Sequence, residues 1–474
     1  MRASNPYRPR RRRRSGWLIG LVMLLLIVAA AAWALTRFLP QFERIPPTIQ
    51  APGTTDWSPD LPVRVRLSDN RALAGYTVVA TNGQENIPVA SNRFVIPVRE
   101  INLTLALPKT LEPRLRKGGW QLLIQAEDTS LWNRILDNRA VEVVRIVPDT
   151  TPPVLELLAK SPTMARGGSA LVVFKADDPN LKAVYIEAGG ERFLPNIYRH
   201  KPYYATLIAW PFRRKRLNAV IVAVDRAGNT SRTKITFPVV NKPYRVSKIR
   251  ATDRFINGRI TEVANSDPEF AGIADPLERF RAVNETMRLK NEALIHRLAK
   301  AARTTGPITR WKMRAFYPLK SAKRVADFGD ERHYYYGDPK NEISLSYHLG
   351  YDLASVRHAP IIASNPGKVI YAAPNGIYGN MPMIDHGFGL TTLYGHCSRI
   401  LVHEGDRVEA GQMIARTGKT GLALGDHLHF GILVQGIEVW PMDWMKGNWI
   451  RKNIDAVFRK ADKKIAATAK PETP

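Results

Sequence analysis

Apolar residues run without a charge from Gly16 to Leu35, and beyond this run the hydrophobic pattern changes character three times. Twenty residues in helix span about 30 Å, the thickness of a bilayer's hydrocarbon core, so residues 16–36 are predicted as a transmembrane helix. From residue 47 to residue 240 apolar and polar positions alternate in short runs, such as Val63-Arg-Val-Arg-Leu-Ser-Asp69, with proline and glycine between them. Alternate side chains of a strand share a face, so these runs predict short strands stacked as β-sandwiches. Between Asp267 and Arg303 the period lengthens. Pro268, Leu277, Phe280, Val283, Met287, Leu294, Ile295 and Leu298 approximate one stripe of a helix amid many charges, which predicts a helix or helical pair. The heptads are not sustained enough for a coiled coil. Alternation returns over residues 310–450. From Lys460 the chain is rich in alanine, lysine, proline and threonine, a composition that reads as disordered.

The strand-rich stretch repeats itself at a period of about 105 residues. Pro46-Pro47-Thr48-Ile49 matches Pro152-Pro153-Val154-Leu155, and the strand ending at Asp128 matches the one ending at Asp225. Thr151-Pro-Pro-Val and Asp225-Arg-Ala-Gly-Asn resemble bacterial Ig-like repeats of surface proteins. Neither repeat shows a metal or nucleophile constellation, so both read as spacers or protein-interaction modules, with carbohydrate binding as the alternative. The predicted fold is mainly β. It comprises a basic tail over 1–15, the transmembrane helix over 16–36, Ig-like sandwiches over 47–148 and 149–240, and a helical linker or insert over 241–309. An antiparallel-β domain over 310–450 and a partly disordered tail over 451–474 follow.

Charge adds topology. The chain carries 70 Lys and Arg against 42 Asp and Glu, a formal +28, which points to acidic surroundings: nucleic acid, anionic lipid or an anionic cell-wall polymer. Arg2, Arg8 and the run from Arg10 to Arg14 precede the apolar segment with no acid among them, which keeps that end in the cytoplasm. No nucleic-acid fold motif accompanies them, so nucleic acid is excluded as a partner. A cleaved signal peptide is the competing reading, because Ala32-Trp33-Ala34 resembles a cleavage site, but the apolar core is long for one. The single cysteine, Cys397, excludes an internal disulfide framework.

Candidate chemistry collects near the C-terminus, where eight of the ten histidines lie between His333 and His429. In Ser346-Tyr-His-Leu-Gly-Tyr-Asp-Leu-Ala354, strand spacing puts His348, Gly350, Asp352 and Ala354 on one face. His427 and His429 likewise share a face, with Leu428 and Phe430 behind them. Three imidazoles and a carboxylate on small-sided strands are what a catalytic zinc site needs. Two imidazoles and one carboxylate are also the facial triad of non-haem iron(II) oxygenases, and a closed structural site is a third reading, although five potential ligands exceed what it needs. No H-E-x-x-H helix supplies a glutamate base; spare imidazoles, which titrate near neutrality, suit that work. Cys397 faces away from His396 on a strand, so the two form no thiol–imidazole pair. His386 lines the groove or is structural, His333, His358 and His403 read as surface or loop residues, and Tyr394 contacts substrate or the core.

Residues 310–445 resemble the lysostaphin/LytM-type zinc endopeptidases. His348-Leu-Gly-Tyr-Asp352-Leu-Ala fits H-x-G-x-D-x-A, Thr392-Leu-Tyr-Gly-His396 fits T-x-Y-[AG]-H, and His427-Leu-His429-Phe fits H-L-H-F. The stretch from His403 to Ile414 looks like the family's G-x-x-V-x-x-G-Q-x-I hairpin, and Gly418-Lys-Thr-Gly421 its G-x-[ST]-G turn. The resemblance implies zinc on His348, Asp352 and His429, with His396 and His427 as the catalytic pair. It implies an endopeptidase acting on stems or cross-bridges of peptidoglycan. With the anchor, the expectation is a single-pass protein of the cytoplasmic (inner) membrane whose catalytic domain lies outside. Its partners would be peptidoglycan, the membrane and cell-wall or division proteins. Many relatives have lost ligands and activate cell-wall amidases without catalysis, which is the alternative; a protease that processes secreted proteins is a third. One departure stands out: from Phe328-Gly-Asp-Glu-Arg332 to His348 the chain is longer and more aromatic than the family minimum, with Tyr334-Tyr-Tyr336. It reads as a loop that biases the groove, leaving open whether D,D cross-links, other stem bonds or glycine bridges are cut.

Overall fold

The computed structural model describes residues 16–38, 42–57, 61–106, 114, 119–134, 138–303 and 306–468; the basic tail 1–15 and the last residues, 469–474, lie outside them. The chain divides into two units, residues 1–151 with 226–229 and residues 152–225 with 230–474.

In the first unit the apolar run forms one helix, Gly16–Phe38, of 23 residues. It is long and apolar enough to cross a membrane, a property that an anchor and a signal sequence share. Residues 48–148 build a six-stranded sheet in the order Thr48–Gln50, Val63–Thr81, Gln121–Asp128, Arg139–Pro148, Thr54–Trp57, with Asn86–Leu105 paired to Val63–Thr81. The alternation holds: Val63, Val65 and Leu67 are buried while Arg64 and Arg66 are exposed. Where the sequence predicts two facing sheets, the hydrogen-bonded ladder instead runs through strands of 19 and 20 residues. Register shifts near Ser68, Leu73 and Gly75 interrupt their pairing, the device by which long strands bend and enclose a core. Trp57, Trp120, Val78 and Ile124 fill that core.

In the second unit residues 154–235 form two four-stranded sheets. These are no free-standing spacer, because Phe174 and Leu207 share one core with Tyr394, Phe430 and Trp444 of the C-terminal domain. Gln435 pins the contact: its Nε2 donates to Leu194 O at 3.0 Å and Thr206 Oγ1 at 2.9 Å, and its Oε1 accepts from Leu194 N–H at 2.9 Å.

Strand Val246–Arg250 pairs in parallel with Asp330–Tyr335, which pairs antiparallel with Glu342–His348. The segment read as a loop is therefore a β-hairpin, with Tyr334 edge-on to Phe280 at 5.3 Å. The helical reading of 267–303 holds. Asp267 and Asp275 accept N-terminal hydrogen bonds from Glu269 and Glu278, at 3.1 and 2.6 Å, each followed by proline. Phe280, Val283, Met287 and Ile295 are buried against Ile377, Met381, Met383 and Leu393 of the C-terminal domain. That domain is an eight-stranded sheet ordered Lys323–Ala326, Tyr351–Ala354, Leu428–Val434, Leu390–Gly395, Asn380–Asp385, Gly367–Pro374, Arg407–Val408, with Ile437–Val439 paired to Leu428–Val434.

Over residues 460–468 the disordered reading is overturned by the helix Ala456–Thr468, and the remainder of that reading, 469–474, lies outside the described residues. Val457, Ala461 and Ile465 recur every fourth residue and are buried. Asp462 accepts from Tyr198 Oη at 2.7 Å and from both Arg199 Nε and Nη2, at 2.7 and 2.9 Å.

Candidate metal centre

Strand register builds the site. Asp352 lies directly opposite His429, whose other neighbour is Gly395, and His348 lies opposite Asp330. The single strand predicted over 346–354 is in fact two. One ends at His348 in the three-stranded sheet and the next begins at Tyr351 in the eight-stranded one. The chain turns a corner at Leu349-Gly350, so His348 and Asp352 meet across that corner rather than along one face. His348 Nε2 is 3.0 Å from Asp352 Oδ1 and 3.0 Å from His429 Nδ1, and the latter two atoms are 2.9 Å apart.

The tautomers follow from outer contacts. His348 Nδ1–H donates to Asp327 O at 2.7 Å, which leaves the Nε2 lone pair facing inward. Among the described residues His429 Nε2 is buried without a partner. Burial pushes the His429 imidazole down to about 4 against the pull of Asp352. Burial acts to raise the Asp352 carboxyl, but His348 and His429 outweigh it and hold it well below its usual range. The donor set is thus two imidazoles and one ionised carboxylate. Three such acceptor atoms, converging at about 3 Å, repel one another and suit a divalent cation of the zinc class.

His396 and His427 stand beside this triangle. His396 follows strand Leu390–Gly395 in the left-handed region, φ 63°, a conformation costing of order 1 kcal/mol. Its N–H donates to Tyr378 O and its Nδ1–H to Thr420 O, both at 2.8 Å. His427 Nδ1–H donates to Gly425 O at 2.9 Å. Each ring therefore presents Nε2 away from the backbone that orients it. The two rings are 4.8 Å apart, His396 is 5.7 Å from the His429 ring, and His427 Nε2 is 3.6 Å from Asp352 Oδ2. Burial, then the neighbouring His427 and His429, pushes His396 well below the usual imidazole range and keeps it neutral.

All five predicted side chains line one cavity of about 790 Å³. The structure does not bring the other candidates there. His386 is buried, with Nδ1–H on Pro366 O at 2.8 Å and Nε2 against Thr392 Oγ1 at 2.9 Å, and burial pushes its pKa down to about 4. Tyr394 and Cys397 are core residues. His333 lies on strand Asp330–Tyr335 between Glu331 and Glu342, His358 turns at the surface with φ 56°, and His403 is exposed. Sequence reasoning missed Tyr378, whose ring sits 5.4 Å from His429. It also missed the basic wall of the cavity, Arg245, Lys248, Arg250, Arg288 and Arg332. Nothing local in the sequence marks Arg245, Lys248, Arg250 and Arg288, because packing of the 241–303 segment brings them to the site, whereas Arg332 sits on the hairpin strand Asp330–Tyr335.

Residues 346–441 match the model of peptidase family M23. Over 137 residues the chain is 35% identical to peptidoglycan DD-endopeptidase ShyA of Vibrio cholerae serotype O1, a match covering 28% of this chain and 30% of that protein. Over 149 residues it is 31% identical to murein hydrolase activator NlpD of Salmonella dublin, covering 31% and 34%. The catalytic domain of the antimicrobial peptidase lysostaphin from Staphylococcus simulans aligns over 27% of this chain and 94% of that one, at 28% identity and a TM-score of 0.23. The chain spans no more than about a third of the length of these curated relatives.

Proposed function

From a C-terminal domain that belongs to peptidase family M23, we propose that this chain is a membrane-anchored zinc endopeptidase that hydrolyses peptide bonds of peptidoglycan stems or cross-links. One observation carries the reading: two further imidazoles, His396 and His427, stand beside a complete donor triangle, where a structural ion would need none. His348 Nε2, Asp352 Oδ1 and His429 Nδ1 would hold the metal. Zinc bound there supplies a Lewis acid for the scissile carbonyl and an acidified water as nucleophile. His396 and His427 do the proton work at Nε2. A neutral Nε2 takes the proton of the attacking water, and a protonated one donates to the oxygen where negative charge develops and then to the leaving amine. The basic wall of the cavity suits the carboxylates of peptidoglycan stems. Helix Gly16–Phe38, preceded by arginines, would anchor the chain in the inner membrane with the catalytic domain outside.

The test is digestion of purified sacculi by the full-length protein, read by mass spectrometry with chelator and with zinc restored. Peptide release that a chelator stops and zinc restores is expected. His396→Ala and His427→Ala keep their zinc and lose about 10²–10⁴-fold in rate, whereas His348→Ala loses the metal. Full activity in His427→Ala refutes the assignment. Similarity to NlpD supports a second reading, a non-catalytic activator of cell-wall amidases. That reading predicts no peptide release by the chain alone, but faster release when an amidase is added.

A further inference from the structure

A second group of metal-competent side chains lies in the first unit. Glu43, Asp69 and Asp128 each bring one carboxylate oxygen to within 4.8 Å of the other two. Glu43 lies in the segment that follows helix Gly16–Phe38 in sequence, Asp69 lies in strand Val63–Thr81, and Asp128 ends strand Gln121–Asp128. Asp69 and Asp128 are buried, at 9% and 4% exposure. Asp69 Oδ1 accepts the N–H groups of Arg71 and Ala72 at 2.8 and 2.6 Å. Its Oδ2, however, and Glu43 Oε1 are buried oxygens with no hydrogen-bond partner among the described residues. Glu43 Oε2 accepts from Asn70 Nδ2 at 2.5 Å. Asp128 accepts from Ser130 N–H at 2.9 Å and from Asn138 Nδ2 at 2.5 Å. Burial pushes the Asp128 carboxyl up to about 6, and neighbouring Asp69 adds to the rise.

Two buried carboxylate oxygens without partners among the described residues, on side chains of one acidic cluster drawn from different parts of the chain, are costly unless a cation takes them. An all-oxygen donor set without imidazole or thiolate selects a hard ion over zinc. We infer that Glu43, Asp69 and Asp128 bind one divalent cation of the calcium type, which clamps residues 42–45 to the first sheet. The surrounding bonds already lay that segment along the sheet. Trp132 Nε1 donates to Phe42 O at 2.5 Å, Ser130 Oγ to Glu43 O at 2.6 Å, and Asn138 Nδ2 to Ile45 O at 3.4 Å. The cation closes the cluster where the chain passes from the apolar helix into the folded domain. The sequence also repeats these acids. Asp149 stands three residues before Pro152-Pro153 as Glu43 stands before Pro46-Pro47, and Asp225 ends the strand matched to that of Asp128. The sequence alone predicts no metal constellation in either repeat; the three acids are far apart in sequence, and Glu43 lies outside the repeat as bounded. The inference does not depend on the peptidase reading.

The test uses the full-length protein in detergent micelles, dialysed into calcium-free buffer with zinc present throughout, so that the histidine site stays filled. Equilibrium dialysis with radioactive calcium is expected to find one calcium per chain. Millimolar calcium is expected to raise the unfolding transition of the first unit by roughly 5–10 °C and to slow hydrogen exchange at residues 42–45. Asp69→Asn loses both the binding and the shift. Glu43→Gln, a change at a half-buried position that leaves the sheet core untouched, does not lower the calcium-free transition and loses the calcium-dependent protection. A wild-type protein that binds no calcium and unfolds at the same temperature with and without it overturns the inference. A shift with magnesium and none with calcium overturns the calcium assignment.

Discussion

Replacing Gly350 with alanine tests the geometry of the proposed metal centre without touching a proposed ligand. A Cβ at this position would lie 2.3 Å from both Cε1 and Nε2 of His429 and 3.0 Å from Cδ2. Ordinary carbon contacts begin near 3.5 Å, so the imidazole must retreat by roughly 1 Å. It has nowhere to go. The Tyr378, His348 and His396 rings stand 5.4, 4.8 and 5.7 Å from it, and His429 is buried. Metal–ligand distances hold to about ±0.2 Å, so the displaced Nδ1 no longer completes the triangle. Gly350→Ala is expected to lose stoichiometric zinc and at least about 10²-fold of sacculus digestion, with about 1–3 kcal/mol of stability from overpacking. Gly395→Ala is the internal control. Its Cβ would meet His429 Cβ and Tyr378 O at 3.3 Å, a gap that a few tenths of an ångström of adjustment opens, so zinc and activity are retained. Zinc per chain by atomic emission, digestion rate and unfolding temperature are read on both variants. A Gly350→Ala protein that holds one zinc and digests at the wild-type rate refutes the reasoning.

Three further outcomes follow from other groups of the second unit. Glu292 is pushed up to about 7, first by burial and then by Glu438, against an ordinary value of 4.5. The folded state thus keeps a proton that the unfolded state gives up, and stability falls as pH rises from 4.5 through 7. Glu292→Gln should gain about 2–3 kcal/mol on the wild type at pH 8 and nothing at pH 4, read as unfolding temperature against pH; an advantage confined to low pH contradicts this. Lys242 Nζ donates to both oxygens of Asp443 at 2.8 Å in a largely buried pair, so Lys242→Ala should cost about 3 kcal/mol or more, most of it regained in Lys242→Ala/Asp443→Ala. Denaturant midpoints showing no loss in the single variant would rule out a structural role for the pair. Arg250→Glu, on the cavity wall, should raise KM for sacculi while leaving zinc content and kcat near wild type, with the defect shrinking at high salt; an unchanged KM removes the wall from substrate binding.

What could be read from the sequence depended on whether a feature closes within a few residues. The apolar run became helix Gly16–Phe38, and the alternation at Val63, Val65 and Leu67 became a buried sheet face. The short histidine strings were legible for the same reason, since ligand spacing is local chemistry, and all five side chains do meet in one cavity. Their geometry was misread where locality fails. Two-residue periodicity carries no sign that the chain leaves one sheet and joins another at Leu349-Gly350, although the glycine there marks the turn and makes room for His429. The aromatic segment before His348 looked like a loop although its hairpin partner, Glu342–His348, is near in sequence; only its parallel neighbour, Val246–Arg250, lies far upstream. The acidic cluster of Glu43, Asp69 and Asp128 was invisible because its members lie far apart in sequence. The C-terminal helix is a different failure. Val457, Ala461 and Ile465 carry a plain four-residue period, and weighting lysine-rich composition over that period concealed it. Composition averages over a window, whereas a helix needs only one buried stripe. Where the two conflict, the period is the better guide whenever a folded neighbour exists to cover the stripe, as strands Val154–Lys160 and Ser169–Asp177 do here.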